Sequence, residues 1–168
     1  MAKQRIALVT GGMGGLGEAI CIKLAALGNT VVTTHSPGNT KSVEWLASMK
    51  RQNFDFRAYA CDVANFDSTA GCVKHVTSDL GPIDVLVNNA GITRDMTFRK
   101  MDKANWDAVI QTNLDACFHM TKQVCDGMVE LGWCVMINHA SANGQTGAFA
   151  QTHTAAATRR PPSLPDSP

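Results

Sequence analysis

A glycine-rich turn set between a strand-like run and an amphipathic helix constrains this chain more than any other feature. Arg5-Ile6-Ala7-Leu8-Val9-Thr10 is a short apolar run that reads as a buried strand. It leads directly into Gly11-Gly12-Met13-Gly14-Gly15-Leu16-Gly17. Leu16, Ile20, Leu24 and Leu27 then recur at helical spacing until Gly28 stops the pattern. Glycines at such a place permit a tight turn and a close backbone approach, and the helix N-terminus behind them favours a phosphate charge. A glycine cluster alone is weak evidence. One that ends a strand and opens a helix is strong.

The same alternation continues along the chain. Thr30-Val31-Val32-Thr33-Thr34 reads as a second strand, 41–51 as a helix, 56–61 as a strand, and 67–80 as a helix closed by Gly81-Pro82. Ile83 to Asn88 is a fourth strand. A long helix over 104–130 carries Ile110, Leu114, Cys117, Phe118, Thr121, Val124, Cys125 and Met128 on one stripe, and Cys134 to Asn138 is a fifth strand. Strands alternating with helices predict right-handed crossovers and a doubly wound, parallel α/β sheet of the Rossmann type. At 168 residues the chain has room for one domain, read here as residues 1–152. Residues 153–168 read as an irregular tail: Ala155-Ala156-Ala157 begin a helix that Pro161-Pro162 end within a turn or so, and 159–168 are expected to be disordered.

Composition excludes several function classes. A chain 45% apolar and 17% charged is globular in balance, and no apolar run is long enough to span a bilayer. A net charge of +1 argues against a nucleic-acid surface. Met1 to Arg5 lead straight into a strand, which leaves no room for a signal peptide and implies a cytoplasmic protein. Cys21, Cys61, Cys72, Cys117, Cys125 and Cys134 show no Cys-x-x-Cys spacing, so they read as reduced core thiols, with no metal site expected.

The spacing Thr10-Gly11-x-x-x-Gly15-x-Gly17, with Asn88-Asn89-Ala90-Gly91 after the fourth strand, resembles the short-chain dehydrogenase/reductase family. Asp62-Val63 after the third strand and Asn113 in the long helix fall where that family has its adenine contact and its structural-catalytic asparagine. Four motifs in the right order cover residues 4 to about 152. A narrower resemblance rests on Gly91 to Asp95, Phe98 to Met101, Trp106 to Ile110 and Asn143-Gly144-Gln145. It points to the acetoacetyl-CoA-reducing branch, which serves polyhydroxybutyrate synthesis. The neighbouring branch that reduces 3-oxoacyl-acyl-carrier protein shares the Thr93-Arg94-Asp95 and Trp106–Ile110 segments and stands as the alternative.

The resemblance implies reduction of a ketone by a nicotinamide cofactor, on an acyl-CoA substrate and in a homotetramer. It assigns cofactor contacts to Gly11, Gly12, Met13, Gly15, Leu16, Gly17, Asp62, Val63, Asn89, Ala90 and Gly91. It assigns substrate contacts to Asp95, Phe149 and Gln151, and catalytic roles to Ser141 and Asn113. Arg94, Arg99 and Lys100 are candidates for the phosphates of coenzyme A, although basic residues in such loops are more often solvated. The choice between nicotinamides is readable from charge. An NAD-specific fold ends its second strand on an acid that bonds the ribose. Here that place reads Thr33-Thr34-His35-Ser36, the next acid being Glu44. The missing carboxylate, with Ser36, Asn39 and Lys41 nearby, favours NADP, although Lys41 taken singly is equally a solvated surface lysine.

One departure is serious. Where the resemblance puts a Tyr-x-x-x-Lys pattern the chain reads Thr154-Ala155-Ala156-Ala157-Thr158. A threonine hydroxyl is shorter in reach and a far weaker acid than a phenol beside an ammonium. The only tyrosine, Tyr59, lies in the third strand. His139, Ala140 and Cys134 are further departures, and they cluster toward one end. That pattern, followed by a proline-rich tail, reads as a partial or frame-shifted gene. The expectation is an inactive chain whose sheet lacks its last strands, or else a non-catalytic nucleotide-binding module.

Overall fold

The structure, a computed structural model, describes residues 4–159. Five parallel strands form one sheet in the order β3-β2-β1-β4-β5. They are β1 (Ile6–Val9), β2 (Thr30–His35), β3 (Arg57–Ala60), β4 (Val85–Asn88) and β5 (Val135–Asn138). The helices between them are α1 (Gly15–Ala26), α2 (Ser42–Arg51), α3 (Phe66–Leu80), α4 (Lys103–Ile110) and α5 (Ala116–Leu131). Two short helices follow, α6 (Asn143–Thr146) and α7 (Thr152–Thr158). The expected doubly wound architecture is what forms.

The strands are apolar on both faces because both faces are covered. Leu8, Val32 and Leu86 pack with Val76, Met120, Val124 and Met128 on the α3–α5 side. Ala7, Val9, Val31, Val85 and Val87 pack with Cys21 and Met49 on the α1–α2 side. Burying each such side chain is worth roughly 1.5–3 kcal/mol, so the central strands dominate the stability of the fold. The strand order reverses direction between β1 and β4, and that switch point opens a crevice at the carboxyl ends of both strands.

The edge strand β5 is different. Its register pairs Val135 with Val85 and Ile137 with Val87, so Val135 and Ile137 face the α1–α2 side at a point those helices do not reach. Ile137 is 46% exposed as a result, whereas Met136 packs against the opposite core.

Two expectations need correcting. The long helix is not one cylinder: a π turn over Gln111–Asp115 joins α4 to α5. The extra residue per turn advances every later side chain around the axis. Cys117, Thr121, Val124 and Met128 of the anticipated stripe are buried, but Phe118 is turned out to solvent (58% exposed) and Met120 takes the buried place. The second correction concerns residues 153–158, read as irregular. They form α7, which packs on α4 and α6 and buries His153, Thr154, Ala157 and Thr158. A Cβ on Gly144 would sit 2.6 Å from the Thr158 carbonyl, so only glycine allows α6 and α7 this close. Of the disorder expected over 159–168, Arg159 instead caps α7, and residues 160–168 lie outside the described residues.

Candidate functional site

A cleft of about 680 Å³ opens at the switch point, and the glycine turn forms its floor. Each glycine has its own reason. Gly11 sits at φ +64°, a conformation that favours glycine. A Cβ on Gly12 would press on Thr33 and lie 2.7 Å from the Cys21 sulfur, and one on Gly17 would lie 2.7 Å from Gly12 Cα. Gly15, by contrast, faces open space. That openness lets a ligand phosphate reach the first turn of α1, where no side chain caps the helix.

Side chains from three strands shape the turn. The Gly12 N–H donates to Thr33 Oγ1 at 2.7 Å, and Thr33 Oγ1 donates to the Val9 carbonyl at 3.0 Å. Gly11 N–H donates to Thr34 Oγ1 at 3.3 Å. From β4, the Asn89 side-chain amide donates to the carbonyls of Thr10 (3.0 Å) and Gly11 (3.3 Å). The backbone N–H groups of Asn89 and Ala90 both donate to Thr10 Oγ1. Sequence reasoning missed Thr10, Thr33 and Thr34, whose signal was three buried hydroxyls at strand ends.

The other anticipated cofactor residues arrange themselves around this floor. Leu16, Gly17, Ser36, Asp62, Val63, Ala90 and Gly91 line the cleft. Asp62 is fixed at the β3 end, its N–H donating to Ser68 Oγ (2.9 Å) and its carboxylate accepting from the Ala64 N–H (3.1 Å). Met13 and Lys41 line a second groove that shares Gly11, Gly14, Thr34, His35 and Ser36 with the cleft. Gly12 lies beneath the turn, buried.

At the opposite end of the cleft stand Asn113, Ser141, Thr154 and Thr158. The Asn113 side chain holds the backbone of Ile92 at both ends: its Oδ1 accepts from the Ile92 N–H (2.8 Å) and its Nδ2 donates to the Ile92 carbonyl (2.9 Å). Gly91 leaves room for this, since a Cβ there would lie 3.3 Å from Asn113 Oδ1. Ser141 Oγ accepts from the Asn143 N–H at 3.2 Å, which leaves its hydroxyl proton free to donate into the cleft. Thr158 Oγ1 instead donates back to the Thr154 carbonyl at 2.7 Å, so its proton is directed into its own helix. Thr154 Oγ1 lies 3.4 Å from His153 Nδ1. Tyr59 is remote from the cleft, its hydroxyl donating to Asp79 at 2.7 Å, with burial and that carboxylate raising its pKa.

The substrate side is only partly as anticipated. Gln151 lines the cleft, accepts from Asn143 Nδ2 (2.7 Å) and donates to Asp95 Oδ2 (3.0 Å), a polar strap across the mouth. Phe149 does not join it. It is 88% exposed, because the chain reverses at Ala150 (φ +63°), whose carbonyl accepts from the Met96 N–H. Arg94 donates to Asn105 Oδ1, and Arg99 and Lys100 lie exposed on a 3-10 turn over Phe98–Lys100.

Two further cleft groups went unanticipated. His139 brings an imidazole to the end of β5. Cys61 on the wall shares a hydrogen bond with Cys72, which lowers the Cys61 pKa; that bond and burial hold Cys72 well above the ordinary thiol range. Among the described residues no cluster of His, Cys, Asp or Glu is grouped to hold a metal.

The comparison with known proteins decides the family. A family profile described as "short chain dehydrogenase" matches residues 5–157. The chain belongs to the short-chain dehydrogenase/reductase family. Among similar members, an acetoacetyl-CoA reductase of Cupriavidus necator is 53% identical over 150 residues, covering 89% of this chain and 61% of that protein. An acetoacetyl-CoA reductase of Allochromatium vinosum is 49% identical, covering 91% of this chain and 63% of that protein. Nodulation protein G of Azospirillum brasilense is also 49% identical, over 92% and 63% of the two chains. The chain thus spans less than two thirds of the length of these short-chain dehydrogenase/reductase relatives. No helix among the described residues is long and apolar enough to cross a membrane.

Proposed function

We propose that these residues form the nucleotide-binding half of an NADPH-dependent 3-oxoacyl-thioester reductase, acting on acetoacetyl-CoA to give 3-hydroxybutanoyl-CoA. The observation that carries the reading is the meeting of two features in one cleft: the uncapped N-terminus of α1 on a glycine floor, and Ser141 with a free hydroxyl proton at the other end. The residues fit the nucleotide. Gly14 and Gly15 leave space for a pyrophosphate, Asp62 and Val63 flank the adenine end, and Thr33 and Thr34 are committed to the turn, so no carboxylate stands at the end of β2. NADPH, when bound, supplies the hydride.

What this chain's own residues can then do is limited. Ser141 donates a hydrogen bond to a substrate carbonyl oxygen and polarises it. Asn113 holds Ile92 and with it the wall behind the reacting centre. The two residues where the resemblance puts the acid and its lysine are poor proton donors: Thr154 is an aliphatic alcohol and Thr158 points its proton into α7. Loss of a general acid costs roughly 10²–10⁴ in rate, so the chain binds its cofactor and turns over slowly or not at all.

A fluorescence titration of the purified chain with NADPH and NADH tests the reading, coupled to an assay of acetoacetyl-CoA reduction. Saturable binding that favours NADPH, with turnover raised by the double substitution Thr154→Tyr and Thr158→Lys, is the expected result. Binding of neither nucleotide would sink it.

A further inference from the structure

Folding brings two of the scattered cysteines together at the edge of the cleft. Cys61 is the first residue past β3, and its N–H still donates to the His35 carbonyl of β2 at 2.8 Å. The next residue is tied to α3, because the Asp62 N–H donates to Ser68 Oγ at 2.9 Å. Between these fastenings the Cys61 side chain is aimed at the first turns of α3, with its sulfur 4.0 Å from the Ser68 carbonyl. Cys72 stands one turn further along that helix. Helical side chains lean back toward the N-terminus, so Cys72 lies over the same carbonyl. The two residues belong to one core cluster, and their thiols share a hydrogen bond.

The pair is asymmetric. Cys61 borders the cleft beside Asp62 and Val63, whereas Cys72 lies behind it in the core. The bond from Cys72 lowers the Cys61 pKa, while that bond and burial raise Cys72. Cys21 and Cys117 are held the other way, since burial raises both. The thiolate is the form that attacks an oxidant, so Cys61 is the member of the pair that reacts first.

We infer that Cys61 and Cys72 are a modification site, at which a hydroperoxide forms a disulfide in the wall of the cleft and a ligand in the cleft shields the pair. The Cys61 thiolate attacks one peroxide oxygen: the S–O bond forms, the O–O bond breaks and hydroxide leaves. The Cys72 sulfur then displaces the new sulfenic hydroxyl: the S–S bond forms, the S–O bond breaks, and the departing hydroxide takes the Cys72 proton as water. Together the sulfurs lose two electrons, which the peroxide gains in becoming water. The shielding rests on the nucleotide reading above; the disulfide does not.

The test treats the full chain with hydrogen peroxide, alkylates the remaining thiols in denaturant and maps the peptides without reduction by mass spectrometry. A peptide cross-linked through Cys61 and Cys72, released by dithiothreitol, is expected. Cys72→Ser is expected to lose it and to leave on Cys61 a sulfenic acid that dimedone traps. Cys61→Ser is expected to lose it with Cys72 still alkylated as a free thiol. Recovery of Cys61 and Cys72 as free thiols in the unsubstituted chain, or bonds only through the exposed Cys134, overturns the inference whatever the variants do. Saturating NADP is expected to slow the cross-link several-fold while oxidation of Cys134 runs unchanged. Unslowed cross-linking, with NADP binding verified by calorimetry, removes the shielding. Absence of NADP binding sinks the nucleotide reading instead and leaves the disulfide standing.

Discussion

Cys21 shows how far a single side chain is committed to the turn above it. It is fully buried, its sulfur lies 3.8 Å from the Gly12 carbonyl, and burial first, then the nearby Glu18 charge, pushes its pKa from 9.0 to about 12. The folded chain therefore keeps a proton that the unfolded chain releases above pH 9.0. Stability from the neutral thiol is whole below pH 9.0 and is lost as pH climbs toward about 12. Urea midpoints measured on either side of pH 9.0 are expected to drop for the parent chain and to drop less for Cys21→Ala. An equal drop in both would show that another group governs the alkaline limb. The same residue also illustrates what a sequence conceals. Its burial was expected of a reduced core thiol, but its contact with Gly12 was not readable. Ser141 was assigned from the family resemblance, whereas Thr33 and Thr34 looked like ordinary strand threonines. Their value lies in contacts with residues more than twenty positions away, which periodicity cannot express.

The elements were legible in order because most strands are short apolar runs set between turn signals. The stripe read for α1, however, was not its buried face: Leu16 and Leu27 are exposed and Cys21 is buried. Boundaries moved by a residue or two, as with α3, whose start is set by a cap that apolar spacing does not reveal. Asn65 Oδ1 accepts from the Ser68 N–H at 2.8 Å and closes the first turn. Asn65→Ala is expected to cost about 1 kcal/mol and to lower the melting temperature by about 2–4 °C. An unchanged melting curve would assign that end of α3 to tertiary packing alone. The π turn at Gln111–Asp115 was invisible for a physical reason: hydropathy gives the period of a stripe but not a single inserted residue. α7 was missed for the opposite reason. Thr152–Thr158 is a weak helix by propensity, held by docking on α4 and by the His153 Nε2 to Arg94 carbonyl bond at 2.9 Å.

For the molecule as a whole, the exposed outer face of β5 governs behaviour in solution. Val135 and Ile137 present apolar surface beside a strand edge that is unpaired among the described residues, and Trp133 adds to it. Such an edge templates association with other chains. Light scattering on the purified chain is expected to show concentration-dependent aggregates, and Ile137→Lys is expected to raise the monomeric fraction, because a charge on an edge strand resists pairing. Equal aggregation in the two proteins would move the cause elsewhere, for instance to the exposed Phe118.

The glycine turn carries only one internal fastening, the Gly14 N–H to Gly11 carbonyl bond at 3.3 Å. Apart from Cys21 beneath it, the side chains that shape it are those of Thr10, Thr33, Thr34 and Asn89, at the ends of three strands far apart along the chain. A one-residue slip of β2 would turn the Thr33 hydroxyl to the opposite face of the sheet and remove it from Gly12. Nucleotide capture by this chain therefore doubles as a gauge of correct threading. A preparation that holds the ligand has β2, β1 and β4 aligned, and its affinity scores the quality of refolding independently of any catalytic readout.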